Sequence, residues 1–156
     1  MPQIEKERVV DVLNRLLEAE LAGVVRYTHY SFLVFGYNRI PIVSWLRGQA
    51  TESLAHAQEI GEWITTLGGH PSLAIGQLLE SHQHDIGAIM RESLQAESAA
   101  LALYRDLLGL VEGRAVGLEE FARQMIHAEE VHAAEVDKML RKPGDLAAFA
   151  PERQQT

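Results

Sequence analysis

The chain has 156 residues and a formal net charge of −8, so it can build one sizeable core and is poorly suited to binding the phosphates of nucleic acids. It contains no cysteine, which excludes disulfides, thiolate zinc sites, iron–sulfur clusters and cysteine nucleophiles and leaves Glu, Asp and His for metal chemistry. No apolar run is long enough for a membrane span, and the charged N-terminal segment lacks a secretory pattern, so we expect a cytoplasmic protein without membrane partners.

Apolar residues recur at three- and four-residue spacing through most of the chain, which predicts an all-α protein. The predicted helices span residues 3–35, 41–67, 81 or 85 to 111, and 118–140. Gly36 ends the first helix, Pro41 suits the start of the second, and the Gly68–Gly69 pair ends the second. Ser81 and Asp85 are both competent N-caps for the third helix. Four long helices in one chain predict an antiparallel four-helix bundle.

The connection between the second and third predicted helices, residues 70–83, is long enough to run the length of a bundle. We expect it to be a crossover that places the third helix parallel to the second, with room for a short helix of its own. Pro143-Gly144 closes the bundle domain at about residue 145. Residues 146–156 form a tail with room for a turn or two of helix before Pro151, and we expect this tail to be partly mobile.

The two halves of the chain repeat one pattern. The segment AELA, which contains Glu20 and precedes Tyr27, matches AESA, which contains Glu97 and precedes Tyr104. Farther on, HAQEI matches HAAEV, and each follows a glutamate. Each half thus offers one Glu on its first helix and a Glu–His pair on its second: Glu20, Glu52 and His56, then Glu97, Glu129 and His132.

This repeated set predicts a catalytic site that binds two metal ions between the helices. Glu and His residues three or four positions apart share one helix face and can bind one ion. Four carboxylates balance two divalent cations, whereas without metal they raise one another's pKa and hold protons. Oxygen and nitrogen donors without thiolate suit iron or manganese, and zinc can use the same ligands.

Other residues near this pattern have two interpretations each. Tyr27 and Tyr104 suit either core aromatics with hydrogen-bonded hydroxyls or a redox or ligand-supporting role. Glu59 and Glu135, one turn past the two histidines, either orient ligand groups or face water. These alternatives stay open in the sequence.

The remaining histidines give no firm site in the sequence. His82 and His84, in SHQHD, have the spacing of a metal clip, but their place near a helix start favours a plain surface role. His29, His70 and His127 form no constellation. The sequence therefore assigns no metal site to these five histidines.

The motifs resemble those of bacterioferritin over nearly the whole chain. The matching segments are LLEAEL with Tyr27, HAQEIGEWITTLGGHP, the third-helix glutamate of AESA, and AEEVH. Ferritin-like di-iron bundles combine two lone glutamates with two Glu-x-x-His motifs. The resemblance implies a ferritin-like fold and two iron ions per chain. It further implies terminal ligation by Glu20 and Glu97, a bridging Glu129, and nitrogen ligation by His56 and His132.

One position departs from the family. Three residues before His56, where the family has its other bridging Glu, the chain has Ser53. Glu52 lies one residue earlier, about 100° around a regular helix. Because Glu52 keeps the same distance in sequence from Glu20 as its counterpart in the other half, we expect a π-bulge between Glu52 and His56 that returns Glu52 to the bridging place. A regular helix there implies an altered site or a site for one metal.

The resemblance also bears on haem and assembly. Bacterioferritins hold haem through a Met one residue after the bridging Glu, and the second predicted helix has no Met, so haem bound in that manner is not expected. The resemblance implies a homo-oligomer, from a dimer up to a cage of ~24 subunits. The short, proline-interrupted tail supports a dimer better than a cage.

The leading predicted function is a ferroxidase that oxidises Fe²⁺ with O₂ or peroxide for iron storage or detoxification. The first alternative is a di-iron or di-manganese peroxidase or oxidase acting on a small substrate. A DNA-protecting ferritin-like shell is disfavoured by the acidic charge. A plain structural bundle without metal is the last alternative.

Overall fold

The computed structural model describes residues 3–149, which form four α-helices. They are α1 (Lys6–Leu33), α2 (Arg39–Thr66), α3 (Ile86–Val111) and α4 (Val116–Leu140). Residues 3–149 contain no strand, so the predicted all-α class is confirmed. None of these helices is both long and apolar enough to cross a membrane.

Local chemistry explains where α2 and α3 begin. α2 starts at Arg39, earlier than predicted, because Pro41 falls within its first turn, where backbone N–H groups have no helical partner and proline is tolerated. α3 follows Asp85, whose carboxylate accepts a hydrogen bond from the Ala88 N–H at 3.0 Å. Of the two predicted N-caps, Asp85 is therefore the one that is used, whereas Ser81 lies in the connection before it.

Two apolar clusters fill the bundle, one towards each end. The first joins the early parts of α1 and α4 to the late parts of α2 and α3, with Leu13 and Phe121 among its members. The second joins the late parts of α1 and α4 to the early parts of α2 and α3, with Tyr30 and Val136 among its members. Hence α1 and α4 run in one direction and α2 and α3 in the other, which is the predicted four-helix topology.

The segment between α2 and α3, residues 67–85, returns along α1 and is called the crossover below. The Ser72 N–H donates to Asn14 Oδ1 at 2.7 Å, and the Gly76 N–H donates to the Glu18 carbonyl oxygen at 2.8 Å. The predicted crossover is therefore present. The short helix that it has room for does not form, since these backbone groups bond to α1 instead of to one another.

The start of the predicted tail is held against α4. The Phe149 N–H donates to Asp137 Oδ2 at 2.9 Å, and residues 146–149 are not helical. The remainder of the predicted mobile tail, residues 150–156, lies outside the described residues.

Candidate metal centre

A polar layer crosses the bundle between the two apolar clusters. On α1, Glu20 lies between Leu17 of the first cluster and Tyr27 of the second. On α4, Glu129 lies between Met125 and Val136 in the same way. The repeated pattern in the sequence therefore places its acidic residues at one level of the bundle.

Three predicted ligands form the inner part of this layer. Glu20, His56 and Glu129 each offer one ligand atom within 4.8 Å of the other two. The two glutamates are each only 5 % exposed, and His56 Nδ1 lies 3.4 Å from Glu20 Oε1. Buried carboxylates around an imidazole are a donor set for a divalent cation, because the cation offsets charge that water no longer solvates.

Glu97 and His132 form a second group beside the first. His132 Nε2 lies 3.6 Å from Glu97 Oε1, and both side chains are only 12 % exposed. The Trp45 ring stacks on the His132 ring, with 5.6 Å between centroids and 5° between planes. This stacking limits rotation of the imidazole and keeps it beside the carboxylate.

Two buried tyrosines link the halves of the repeat reciprocally. Tyr27, which follows Glu20 in sequence, donates its hydroxyl proton to Glu97 Oε1 at 2.6 Å. Tyr104, which follows Glu97, donates to Glu20 Oε1 at 2.7 Å. Each carboxylate is therefore fixed by the tyrosine of the other half. The structure gives these tyrosines hydrogen-bonded hydroxyls, as expected, and identifies their partners as predicted ligands.

The carboxylates of the layer do not all ionise in the absence of metal. Burial, together with hydrogen bonding to Glu97, raises the pKa of Glu129 to about 11. Burial alone would raise the pKa of Glu97 as well, but hydrogen bonding from Glu129, the His132 charge and the Tyr27 hydroxyl bring this pKa below its usual value. The layer therefore holds a proton on Glu129 and a negative charge on Glu97, as expected for crowded acidic groups.

One buried atom of this layer lacks a partner among residues 3–149. Glu129 Oε2 is buried and receives no hydrogen bond there. Such an atom is costly unless something outside the protein satisfies it. A metal ion held by oxygen and nitrogen donors does so, which makes the buried residues a fitting site for iron or manganese, or for zinc.

Glu52 lies at the edge of the layer. The structure contains no π-turn between Glu52 and His56, because α2 is a continuous α-helix through this segment. The expected π-bulge is therefore wrong. The Glu52 side chain is 50 % exposed, and its Oε1 atom lies 3.8 Å from His56 Nε2.

The place expected for the bridging Glu is filled by Ser53, which is buried against α1. A Cβ atom added to Gly23 would lie 3.0 Å from Ser53 Oγ, so α1 and α2 approach closely here. This close approach leaves little room for a longer residue. The structure thus brings Glu20, His56, Glu97, Glu129 and His132 into the layer and leaves Glu52 at its rim.

Several supporting residues were not predicted. Trp45 stacks on His132, and Arg26 is buried on α1 with its guanidinium 5.7 Å from the Tyr27 ring centre. Glu92 is buried and accepts hydrogen bonds from Tyr30 and Ser81. None of these residues belongs to the sequence repeat, and the repeat was the pattern from which the site residues were predicted. By contrast, Glu59 and Glu135 are exposed, which favours the interpretation that they face water.

Comparison with known proteins gives a consistent result. A bacterial ferritin of Neisseria meningitidis is 27 % identical over 137 residues, which cover 86 % of this chain and 88 % of that protein. A DNA protection during starvation protein of Mycolicibacterium smegmatis is 26 % identical over 143 residues, covering 90 % of this chain and 72 % of that protein.

The fold also matches a solved structure. A ferritin-like, diiron-carboxylate protein from Bacillus anthracis superposes with a TM-score of 0.83 at 22 % identity, covering 87 % of this chain and 97 % of that chain. The family model for the ferritin-like domain matches residues 10–144. With four helices, a crossover and a buried carboxylate–histidine layer at the centre, the chain belongs to the ferritin family as a ferritin-like domain.

Proposed function

We propose that the protein is a ferroxidase that takes two Fe²⁺ ions as substrate in the carboxylate–histidine layer. Each Fe²⁺ gives up one electron, and O₂ takes up both electrons and two protons to form hydrogen peroxide. With peroxide as the oxidant, the same two electrons and two protons yield two water molecules. The unpartnered Glu129 Oε2, buried in the layer together with Glu20 and His56, is the observation that supports this proposal most directly.

The protein residues have distinct proposed roles. Glu20 and Glu97 each use one oxygen to accept a tyrosine hydroxyl and keep the other for a metal ion. His56 and His132 would supply nitrogen ligands, and Glu129, which is grouped with Glu20 and His56 and is hydrogen-bonded to Glu97, would be the shared carboxylate. Because Glu129 is protonated in the absence of metal, iron binding releases its proton.

Glu52 is proposed as the sixth ligand, acting from the rim of the site. Its carboxylate is half exposed and already lies 3.8 Å from His56 Nε2. A ligand at this position is more mobile than the five buried ones because solvent surrounds half of it. We therefore expect one of the two metal ions to be held less firmly than the other.

Iron oxidation and metal content test the proposal together. The purified protein is expected to bind about two Fe²⁺ per chain and to oxidise them in air. Glu129→Gln is expected to lower the initial oxidation rate by about 100-fold or more, since removing a ligand should exceed the effect of removing a supporting group. Glu130→Gln, next in sequence and exposed, is the matched control and should oxidise iron at the original rate. Equal rates in the two variants, or no bound metal in the unaltered protein, would refute the proposal.

The relative that protects DNA motivates a second candidate function, a DNA-protecting shell. The net charge of −8 opposes binding to DNA by simple attraction. An electrophoretic mobility assay with linear DNA at low salt distinguishes the two functions. We expect unretarded DNA, and a shift that disappears with rising salt would favour the second candidate.

A further inference from the structure

A second group of metal-binding side chains lies on the outside of the bundle, where the crossover meets α1. His29 of α1 and Glu80 and His84 of the crossover each offer one ligand atom within 4.8 Å of the other two. His29 Nε2 lies 2.7 Å from Glu80 Oε2, and His84 Nε2 lies 3.4 Å from Glu80 Oε1. We call these three residues the crossover triad.

The crossover triad is separate from the buried layer. His29 lies nine residues beyond Glu20 on α1, which corresponds to about 13 Å along the helix axis. Its three residues are exposed or half-buried, whereas Glu20 and Glu129 are buried. The two groups therefore form two sites.

The backbone of the crossover is shaped so that both of its ligands face His29. Leu79 and His82 have φ angles of 55° and 58°, a conformation that costs about 1–2 kcal/mol for a residue other than glycine. Ser81, between them, donates its hydroxyl proton to the buried Glu92 at 2.8 Å. This anchor holds the segment in place, with Glu80 and His84 on the side facing α1.

The Glu80 carboxylate carries the negative charge that a cation requires. A hydrogen bond from the His82 N–H, together with the His29 contact, keeps the pKa of Glu80 below its usual value, so the carboxylate is ionised at neutral pH. Two imidazoles and one carboxylate make up the three-residue ligand set found in many zinc sites, where a fourth position is filled by another ligand or water. His82 Nδ1 lies 4.0 Å from Glu80 Oε1 and offers a further nitrogen donor beside the triad.

We propose that His29, Glu80 and His84 bind a divalent transition-metal ion of the Zn²⁺ class and thereby fasten the crossover to α1. The fourth position is taken by water or by His82. In this arrangement, one ligand comes from α1 and two come from a segment without helical structure, so the bound ion joins elements that are far apart in sequence. This proposal is independent of iron oxidation, because it uses none of the residues of the buried layer.

Zn²⁺ binding to single-residue variants tests the site. Because the donor set of the buried layer also suits Zn²⁺, the titrations are made with the unaltered protein and again with Glu129→Gln. His29→Gln and His84→Gln are each expected to remove about one Zn²⁺ per chain in either background. His127→Gln removes an exposed histidine outside both groups and should leave the Zn²⁺ content unchanged. Circular dichroism checks that each variant is folded.

Hydrogen exchange provides a local measurement in the same proteins. Zn²⁺ is expected to slow amide exchange in the peptide covering residues 76–85 of the unaltered protein and of His127→Gln, but not of His84→Gln. Two results would show that the triad is only a cluster of hydrogen-bonded surface side chains. The His29 and His84 variants could keep the full Zn²⁺ content, or the exchange rate of this peptide could be the same with and without Zn²⁺. Either result overturns the proposal.

Discussion

At the residue scale, the hydroxyls of Tyr27 and Tyr104 have different numbers of hydrogen-bond partners, although the two tyrosines occupy equivalent positions in the repeat. Tyr104 donates to Glu20 and has no further hydrogen bond among residues 3–149. The Tyr27 hydroxyl also lies 2.7 Å from Ser93 Oγ and 3.0 Å from His132 Nε2. The internal symmetry of the sequence is therefore broken in the side-chain contacts.

This inequality predicts different costs for two matched variants. Tyr27→Phe removes one hydrogen-bond partner from each of Ser93, Glu97 and His132, whereas Tyr104→Phe removes one from Glu20 alone, and each loss is worth about 0.5–1.5 kcal/mol. Urea unfolding of the metal-free proteins should show a larger loss of unfolding free energy for Tyr27→Phe. A larger loss for Tyr104→Phe would contradict the hydrogen-bond network described above.

The protonated Glu129 predicts how stability depends on pH. Its folded pKa of about 11 exceeds the unfolded value near 4.5, so its proton stabilises the folded state fully below the unfolded pKa. This contribution declines as pH rises between the two values and is lost above the folded pKa. The unfolding free energy therefore falls by at most about 1.4 kcal/mol per pH unit.

Glu129→Gln removes this decline because the amide cannot ionise. Unfolding of the two metal-free proteins is compared between about pH 6 and about pH 8, which lies within this range. As pH rises, the unfolding free energy of the variant should increase relative to that of the unaltered protein. Added Fe²⁺ or Zn²⁺ under anaerobic conditions should stabilise the unaltered protein more than the variant. Parallel pH profiles for the two metal-free proteins would show that Glu129 is ionised in the folded state.

At the element scale, the crossover depends on a close backbone approach to α1. A Cβ atom at Gly76 would lie 3.1 Å from the Glu18 carbonyl oxygen and 3.4 Å from the Ala19 Cα atom. These are backbone atoms of a long helix and cannot move aside as the end of a side chain can. Only glycine keeps both this approach and the hydrogen bond from the Gly76 N–H.

Gly76→Ala is therefore expected to destabilise the protein by about 1–3 kcal/mol. The control is Gly48→Ala in α2, where nothing lies within 4 Å of the added Cβ atom, and it should stabilise by about 1 kcal/mol through helix propensity. Thermal or urea unfolding gives both values. If Gly76→Ala is neutral, the crossover is not packed tightly on α1.

At the scale of the whole molecule, the α1–α2 turn exposes a group of large apolar residues. Phe32, Phe35 and Ile40 are 58 %, 72 % and 83 % exposed, and Tyr37 is fully exposed in the same turn. Grouped apolar residues on a surface are typical of protein–protein contacts, whereas isolated ones are common. We therefore predict that this turn contacts another copy of the chain in the expected homo-oligomer.

An acidic substitution tests this interface. Phe35→Asp combined with Ile40→Asp should lower the native mass measured by light scattering to that of a smaller oligomer or a monomer, because it places charge in an apolar contact. Val116→Asp replaces an apolar residue that is 79 % exposed at the start of α4, and should leave the mass unchanged. A native mass unaffected by the double variant would exclude this turn from the assembly contacts.

The sequence by itself determined the helical class, the crossover and the place of the acidic layer. These features follow from local spacing: apolar periodicity sets helices, glycine and proline end them, and a repeat places equivalent residues at one level of an antiparallel bundle. Residues 146–156 were set apart as a tail and residues 1–145 as the bundle domain, a division that stays a prediction. The six ligands likewise stay a prediction, although five of them share the buried layer.

Only the tertiary structure decided how the layer is completed. The continuous α2 helix keeps Glu52 at the rim and places Ser53 in close contact with Gly23 of α1. The tyrosine partners and the crossover triad depend on segments that are distant in sequence, and no local pattern records such contacts. Spacing along one helix fixes which residues share a face, whereas the distances between atoms of different helices depend on how all four helices pack.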